Sequence, residues 1–202
     1  MAKPLLVIAC GAIARELVRI TRMNGWEHID FQCLPPALHN RPQQITAAVE
    51  HAIEAARGRY DRVFVAYGDC GTGGMLDLML HKHGVERLPG AHCYEFLAGS
   101  DVFAQLAAAE PGSFYLTDFL VAHFKRLVIG GLGLDRYPWL LPQYFANYRR
   151  VVYLAQTQSD ELQAEARQHA AFLGLDFEYR FCGDQLLTRA LAPHALVLGG
   201  TA

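Results

Sequence analysis

Four of the five cysteines fall where strand-forming residues meet or approach a loop. Cys10 closes the run Leu5-Leu6-Val7-Ile8-Ala9-Cys10, Cys70 lies in Gly68-Asp69-Cys70-Gly71-Thr72-Gly73-Gly74, and Cys93 lies in His92-Cys93-Tyr94-Glu95. Cys33 belongs to a further strand-like segment, Asp30-Phe31-Gln32-Cys33-Leu34. Thiolates are nucleophiles and soft metal ligands. In an open α/β sheet the carboxyl ends of parallel strands line the ligand crevice, so thiols delivered there by distant segments can converge on one point.

The chemistry open to such a cluster is tetrahedral metal binding or thiol catalysis. Three thiolates and one nitrogen or water would hold zinc with bonds of about 2.0–2.3 Å. The metal set is Cys10, Cys70 and Cys93 with His39, which follows the second strand on the same predicted edge. His92 or a water is the alternative fourth ligand. His81 and His83 fall late in a helix and suit helix-end cations instead. The sequence has no CxxC or HExxH, so the reading rests on separate single residues. Without a metal, Cys10 and Cys70 are the candidate nucleophile or base, activated by loop N–H groups or a helix N-terminus. Cys33 and Cys182 read as small core hydrophobes.

The glycine-rich loop permits close backbone approach, so Gly68, Gly71, Thr72, Gly73 and Gly74 are candidate ligand-binding residues whose N–H groups form an anion cradle. The bland alternative is a tight turn around a buried thiol. Asn40 and Arg41 join the same edge from Leu38-His39-Asn40-Arg41-Pro42. Read as a strand, His92-Cys93-Tyr94-Glu95 places Cys93 and Glu95 on one face and His92 and Tyr94 on the other, which makes Glu95 a candidate acid or base. Arg136, in Asp135-Arg136-Tyr137-Pro138, either clamps an anionic substrate with its planar fork or completes a surface turn. Thr117 or Asp118 reads as a helix cap.

These residues need strands to carry them. Residues 5–9 form a continuous apolar run suited to a strand covered on both faces, and Ile13, Leu17 and Ile20 follow at helical spacing. Residues 30–34, 62–66 and 92–96 read as further strands, with helices over 43–57 and from Met75. In the second half, residues 113–116, 151–155, 177–181 and 195–198 read as strands and 117–127, 160–172 and 183–190 as helices. The expected fold is α/β: mainly parallel sheets with helices on both faces, in two closely packed halves of Rossmann-like or flavodoxin-like winding. Residues 1–110 carry the Cys/His site and 111–202 form the second half, with Ala109-Glu110-Pro111-Gly112 as the seam; one continuous domain is the alternative. Five aromatics between residues 137 and 148 suit a stretch that is part core and part lid.

Composition excludes several classes. With 202 residues, 52% hydrophobic and 19% charged, the chain can bury a substantial core. A formal charge of −2 and interspersed signs give no basic stripe for nucleic acid. The longest apolar run, residues 5–14, is shorter than the roughly 20 needed to cross a bilayer. No secretory pattern opens the sequence, so a cytoplasmic location with reduced thiols is expected. Oligomeric state stays open.

Cys10-Gly11-Ala12 with Arg15-Glu16, Leu38-His39-Asn40-Arg41-Pro42, Tyr67-Gly68-Asp69-Cys70-Gly71-Thr72-Gly73-Gly74, His92-Cys93-Tyr94-Glu95, Leu116-Thr117-Asp118-Phe119-Leu120 and Leu132-Gly133-Leu134-Asp135-Arg136 together resemble a bacterial and archaeal family known as domain of unknown function 1638. The resemblance implies an association with corrinoid-dependent methyl transfer from methylamines and betaines, the corrinoid being carried by a partner protein. It assigns no catalytic residues. Val7-Ile8-Ala9-Cys10 is also similar to the nucleophile segment of cofactor-independent amino-acid racemases, whose Gly-Cys-Thr-His signature is absent. Three functions follow as expectations: a zinc-thiolate enzyme or component transferring a methyl group to a small thiol or similar acceptor; a metal-free cysteine enzyme of racemase or lyase type; and a non-catalytic accessory or ligand-binding module for a corrinoid methyltransferase.

Overall fold

A computed structural model describes residues 5–196. The chain divides into two compact units: the residues up to Phe96 together with those from Asp184, and Leu97–Gly183. The Ala109-Glu110-Pro111-Gly112 segment lies inside the second unit.

In the first unit, strands β1 (Leu5–Cys10), β2 (Ile29–Leu34), β3 (Arg62–Ala66) and β4 (Glu86–Arg87) form a parallel sheet of order β2-β1-β3-β4. All six β1 residues are buried, as a central strand covered on both faces requires. Helices α1 (Ala14–Asn24), α2 (Ile45–Ala56) and α3 (Met75–His83) alternate with the strands. A 3₁₀ turn, Pro42–Gln44, leads into α2, with Pro42 in its first turn, where a missing N–H costs least. The chain runs from β1 to β2 on one side and then crosses to β3 on the other. The topological switch point therefore lies between the carboxyl ends of β1 and β3, where open α/β sheets bind ligands.

The second unit carries β5 (Ser113–Thr117), β6 (Arg150–Ala155) and β7 (Asp176–Phe181) in one parallel sheet of order β5-β6-β7. Around it run α5 (Ser100–Ala109), α6 (Asp118–Ala122), α7 (Leu141–Tyr144) and α8 (Asp160–Leu173), preceded by α4 (Cys93–Ala98), which spans the boundary between the units. Its core gathers Leu116, Val121, Phe124, Val151, Tyr153, Ala166 and Ala170. The α/β class with parallel sheets flanked by helices is the observed architecture. Among the described residues no helix is long and apolar enough to cross a membrane.

Three local expectations are corrected. Residues 92–96 do not form a strand: helix α4 starts at Cys93, and the fourth strand is the two-residue β4. The Glu95 carboxylate accepts the Ala91 N–H at 2.8 Å, a reach back across one turn that favours a helix start over a strand. The helix over 117–127 stops at Ala122 and gives way to a π-helical stretch, Lys125–Gly130. Residues 195 and 196 continue α9 (Gln185–Leu196) rather than opening a strand, while Val197 and Leu198 lie outside the described residues.

Candidate functional site

Cys10 ends β1 with its sulfur 3.4 Å from the Ala12 N–H, which it accepts, and is 3% exposed. Burial pushes its thiol up to about 12, and charges on Cys70 and Cys33 would push further, while Ala12 N–H and Tyr67 pull the other way. His39 sits in a 3₁₀ turn, Pro36–Asn40, whose entry is fixed by Pro35 and Pro36. Its Nδ1 is 3.2 Å from the Pro36 carbonyl and 3.8 Å from Cys10 Sγ. The carbonyl can only accept, which assigns the imidazole proton to Nδ1 and leaves Nε2 with a bare lone pair. That Nε2 is buried with no partner. Burial also lowers the His39 pKa, so the ring is neutral and able to ligate.

Cys70 enters the site on the loop after β3. Its own φ of 50° is left-handed, a strained state for a residue with a side chain. Two backbone bonds hold it there: Asp69 N–H to Gly90 O at 3.0 Å and Cys70 N–H to Ala91 O at 2.8 Å. The approach leaves little room for a side chain at Gly68, where a Cβ would stand 3.1 Å from the His92 backbone. Arg87, bidentate on Asp77 and donating to Leu88 O and Gly90 O, braces the same segment. This stitching brings Cys93 to Cys70, whose sulfur accepts the Cys93 N–H. Burial raises both thiols, and a charge on Cys93 would be opposed by charges on Cys70 and Cys10.

The structure thus brings Cys10, His39, Cys70 and Cys93 together at the switch point. Among the described residues, no three His, Cys, Asp or Glu side chains stand as placed in an arrangement that would hold a metal ion. Tyr67, which the residue-level reading passed over, belongs to the site. It is 1% exposed, its ring stacks on His39 with centroids 6.2 Å apart and planes at 12°, and its hydroxyl interacts with the Cys10 side chain. The signal was positional: Tyr67 is the first residue past a buried strand, on the same edge as Cys10.

Other sequence-predicted residues take different places. The N–H groups of Gly73 and Gly74 and the Thr72 hydroxyl converge on the chain's own Asp69 carboxylate, at 3.1, 2.8 and 2.6 Å, and lower its pKa. Those donors therefore hold an internal anion. Glu95 is engaged with Ala91 N–H, and because it lies in α4 it shares no strand face with Cys93. Asn40 and Arg41 are exposed at the end of the His39 turn. Arg136 lies in the second unit on an exposed turn whose backbone N–H binds Asp135. Cys33 is exposed and Cys182 partly buried, so neither is a core filler: β2 is an edge strand, and Cys182 lies just beyond β7. Thr117 caps α6, and Asp118 accepts from Tyr153 OH, Gln156 N–H, and the N–H and hydroxyl of Thr157.

Fold and site together define a parallel α/β protein with a thiol and imidazole cluster at the strand-end crevice. The chain belongs to the family described as protein of unknown function (DUF1638), which it matches over residues 33–191. The matched span includes His39, Tyr67, Cys70 and Cys93 and begins after Cys10. A search of curated proteins found no match.

Proposed function

We propose that Cys10, Cys70, Cys93 and His39 form a soft-metal centre, zinc by ligand chemistry, and that the protein is an enzyme or enzyme component transferring a methyl group to a small thiol. The observation that supports this reading is His39: its Nδ1 lies 3.2 Å from the Pro36 carbonyl and 3.8 Å from Cys10 Sγ, and its buried Nε2 has no partner; an imidazole held by a carbonyl through one nitrogen, with the other bare, is the form that ligates metals. Burial favours neutral thiols over thiolates, which works against metal-free nucleophilic catalysis; a divalent cation supplies the missing countercharge and deprotonates coordinated thiols outright. Binding requires these side chains to rearrange from their present placement. A position left to substrate would let the metal bind an acceptor thiol as thiolate. Cys10, Cys70, Cys93 and His39 would hold the metal that activates the acceptor thiol, and a corrinoid on a partner protein would supply the methyl group.

Metal analysis of untagged protein purified without chelator tests the centre. About one equivalent of zinc is expected, falling below about a tenth in the Cys10→Ser, Cys70→Ser double variant, because each lost thiolate ligand weakens binding steeply. Less than about half an equivalent in the wild type, unchanged in the variant, overturns it. Loss of methylcobalamin absorbance on adding a small thiol and the zinc-loaded protein tests the transfer. The accessory-module reading draws on the exposed Tyr137, Trp139 and Tyr144; it expects metal-independent binding of a corrinoid protein and no transfer.

A further inference from the structure

At the other end of the first unit's sheet, a cavity of about 530 Å³ opens at the amino ends of β3 and β4, between the carboxyl ends of α2 and α3. Its volume falls within the roughly 300–1,000 Å³ of small-molecule sites. Arg57, Arg62 and Lys82 bring positive charge to its lining, and Asp61 and Glu86 bring negative charge. Among the described residues, no carboxylate stands within ion-pair distance of any of the three cations, whereas Arg19, Arg87 and Arg150 pair with Asp184, Asp77 and Glu178. Arg57 and Arg62 donate instead to neutral acceptors, His83 Nδ1 and the His194 carbonyl, each at 3.3 Å. His83 is itself held by Glu50, whose Oε1 lies 3.1 Å from Nε2. The proton therefore sits on Nε2, and Nδ1 offers its lone pair to Arg57. A guanidinium has five N–H donors, so these single bonds leave most of them unused. Cations at helix ends offset the helix dipole, which accounts for Lys82 in the last turn of α3 and Arg57 just past α2. It does not account for Arg62, which opens a strand.

We infer that this cavity binds a small phosphorylated molecule, with Arg57, Arg62 and Lys82 on its phosphate group and His83 positioning Arg57. Two planar forks and an ammonium match a dianionic tetrahedral group, which accepts several charge-assisted hydrogen bonds at once; a single fork satisfies a carboxylate. The volume exceeds what one phosphate ion fills, which leaves room for the rest of an ester. The thiol centre lies at the opposite ends of the strands. The five residues of β3 at about 3.3 Å each put roughly 16 Å between the two sites, so the inference does not depend on the metal reading.

Titration of the full chain with ribose 5-phosphate, ribose, inorganic phosphate and succinate, followed by nitrogen–proton correlation spectra, tests it. Ribose 5-phosphate should shift the amides of residues 57–63 and 82–86 saturably and leave those of Cys10 and Cys70 in place. Inorganic phosphate should bind more weakly, and ribose should not bind. The Arg57→Gln, Lys82→Gln double variant should bind ribose 5-phosphate about tenfold or more weakly, because charged hydrogen bonds are lost. Both side chains are exposed, so the thermal midpoint of the ligand-free variant should change little. No saturable shift, or an equal response to ribose, overturns the site. Succinate binding as tightly as ribose 5-phosphate overturns phosphate recognition, and inorganic phosphate binding as tightly assigns the cavity to the free ion and overturns the ester. Unchanged affinity in the double variant, with a lowered ligand-free midpoint, identifies the cations as helix-end partners and overturns the proposal.

Discussion

Burial decides what each thiol can do. Burial of its charged form in an apolar strand end pushes the Cys10 thiol up to about 12, so it stays protonated at neutral pH. Cys33 is also pushed up by partial burial, but it is exposed on the edge strand. Iodoacetamide at mildly alkaline pH should therefore modify Cys33 well before Cys10 in the metal-free protein, read residue by residue by peptide mass spectrometry. Equal rates would mean that Cys10 is neither buried nor electrostatically suppressed. The sign of the same shift sets the alkaline limit. The fold favours the protonated thiol, so this contribution is intact below 9.0, the ordinary thiol value, and is lost as pH rises from there toward about 12.

At the scale of elements, the site depends on the stitching between the loop after β3 and residues 90–95. Gly90 is the weak point of that seam. Its φ is 100°, and a Cβ there would stand 2.7 Å from Glu95 Oε2 and 2.9 Å from Glu95 Cδ. Gly90→Ala must distort the backbone or dislodge Glu95 from Ala91 N–H, at a cost of about 1–3 kcal/mol. Denaturant unfolding should show that loss together with faster alkylation of Cys93, because α4 begins at Cys93 and leans on the Glu95 contact. Undiminished stability would mean that the seam is not required. Asp69 closes the neighbouring loop in a related way: what sequence presents as an open anion cradle is filled by the chain's own carboxylate.

At the scale of the whole molecule, the first unit is assembled from both ends of the sequence. α9 returns to it from residue 185, burying Leu187, Leu191 and Ala195, and Asp184 pairs with Arg19 of α1. His28 bonds the Ala195 carbonyl, and His194 stacks on Phe64 of β3 with centroids 3.8 Å apart. The switch-point sheet is therefore stabilised by a helix that follows the whole of the second unit in sequence. Leu187 is fully buried, so Leu187→Ala should cost about 2–4 kcal/mol, the usual loss for such a leucine. If hydrogen exchange then accelerates in β1 and β3, α9 supports the site sheet; acceleration limited to β5, β6 and β7 would contradict that placement.

The sequence alone determined the strands that carry the site. A continuous apolar run such as residues 5–9, a β-branched run such as 62–66 and glycines placed after them are local signals, because burial on both faces and positive φ are written in composition. From these it follows that Cys10 and Cys70 reach one edge. Tertiary structure alone decided the rest. Whether His92-Cys93-Tyr94-Glu95 becomes strand or helix turned on a carboxylate and a carbonyl pinned across the loop, and so short a segment holds too little periodicity to anticipate that. The exposure of Cys33 followed from β2 lying at the sheet edge. The Tyr67 hydroxyl beside Cys10, the bare Nε2 of His39 and the return of α9 to the first unit exist only once distant segments pack, because each is defined by what surrounds it.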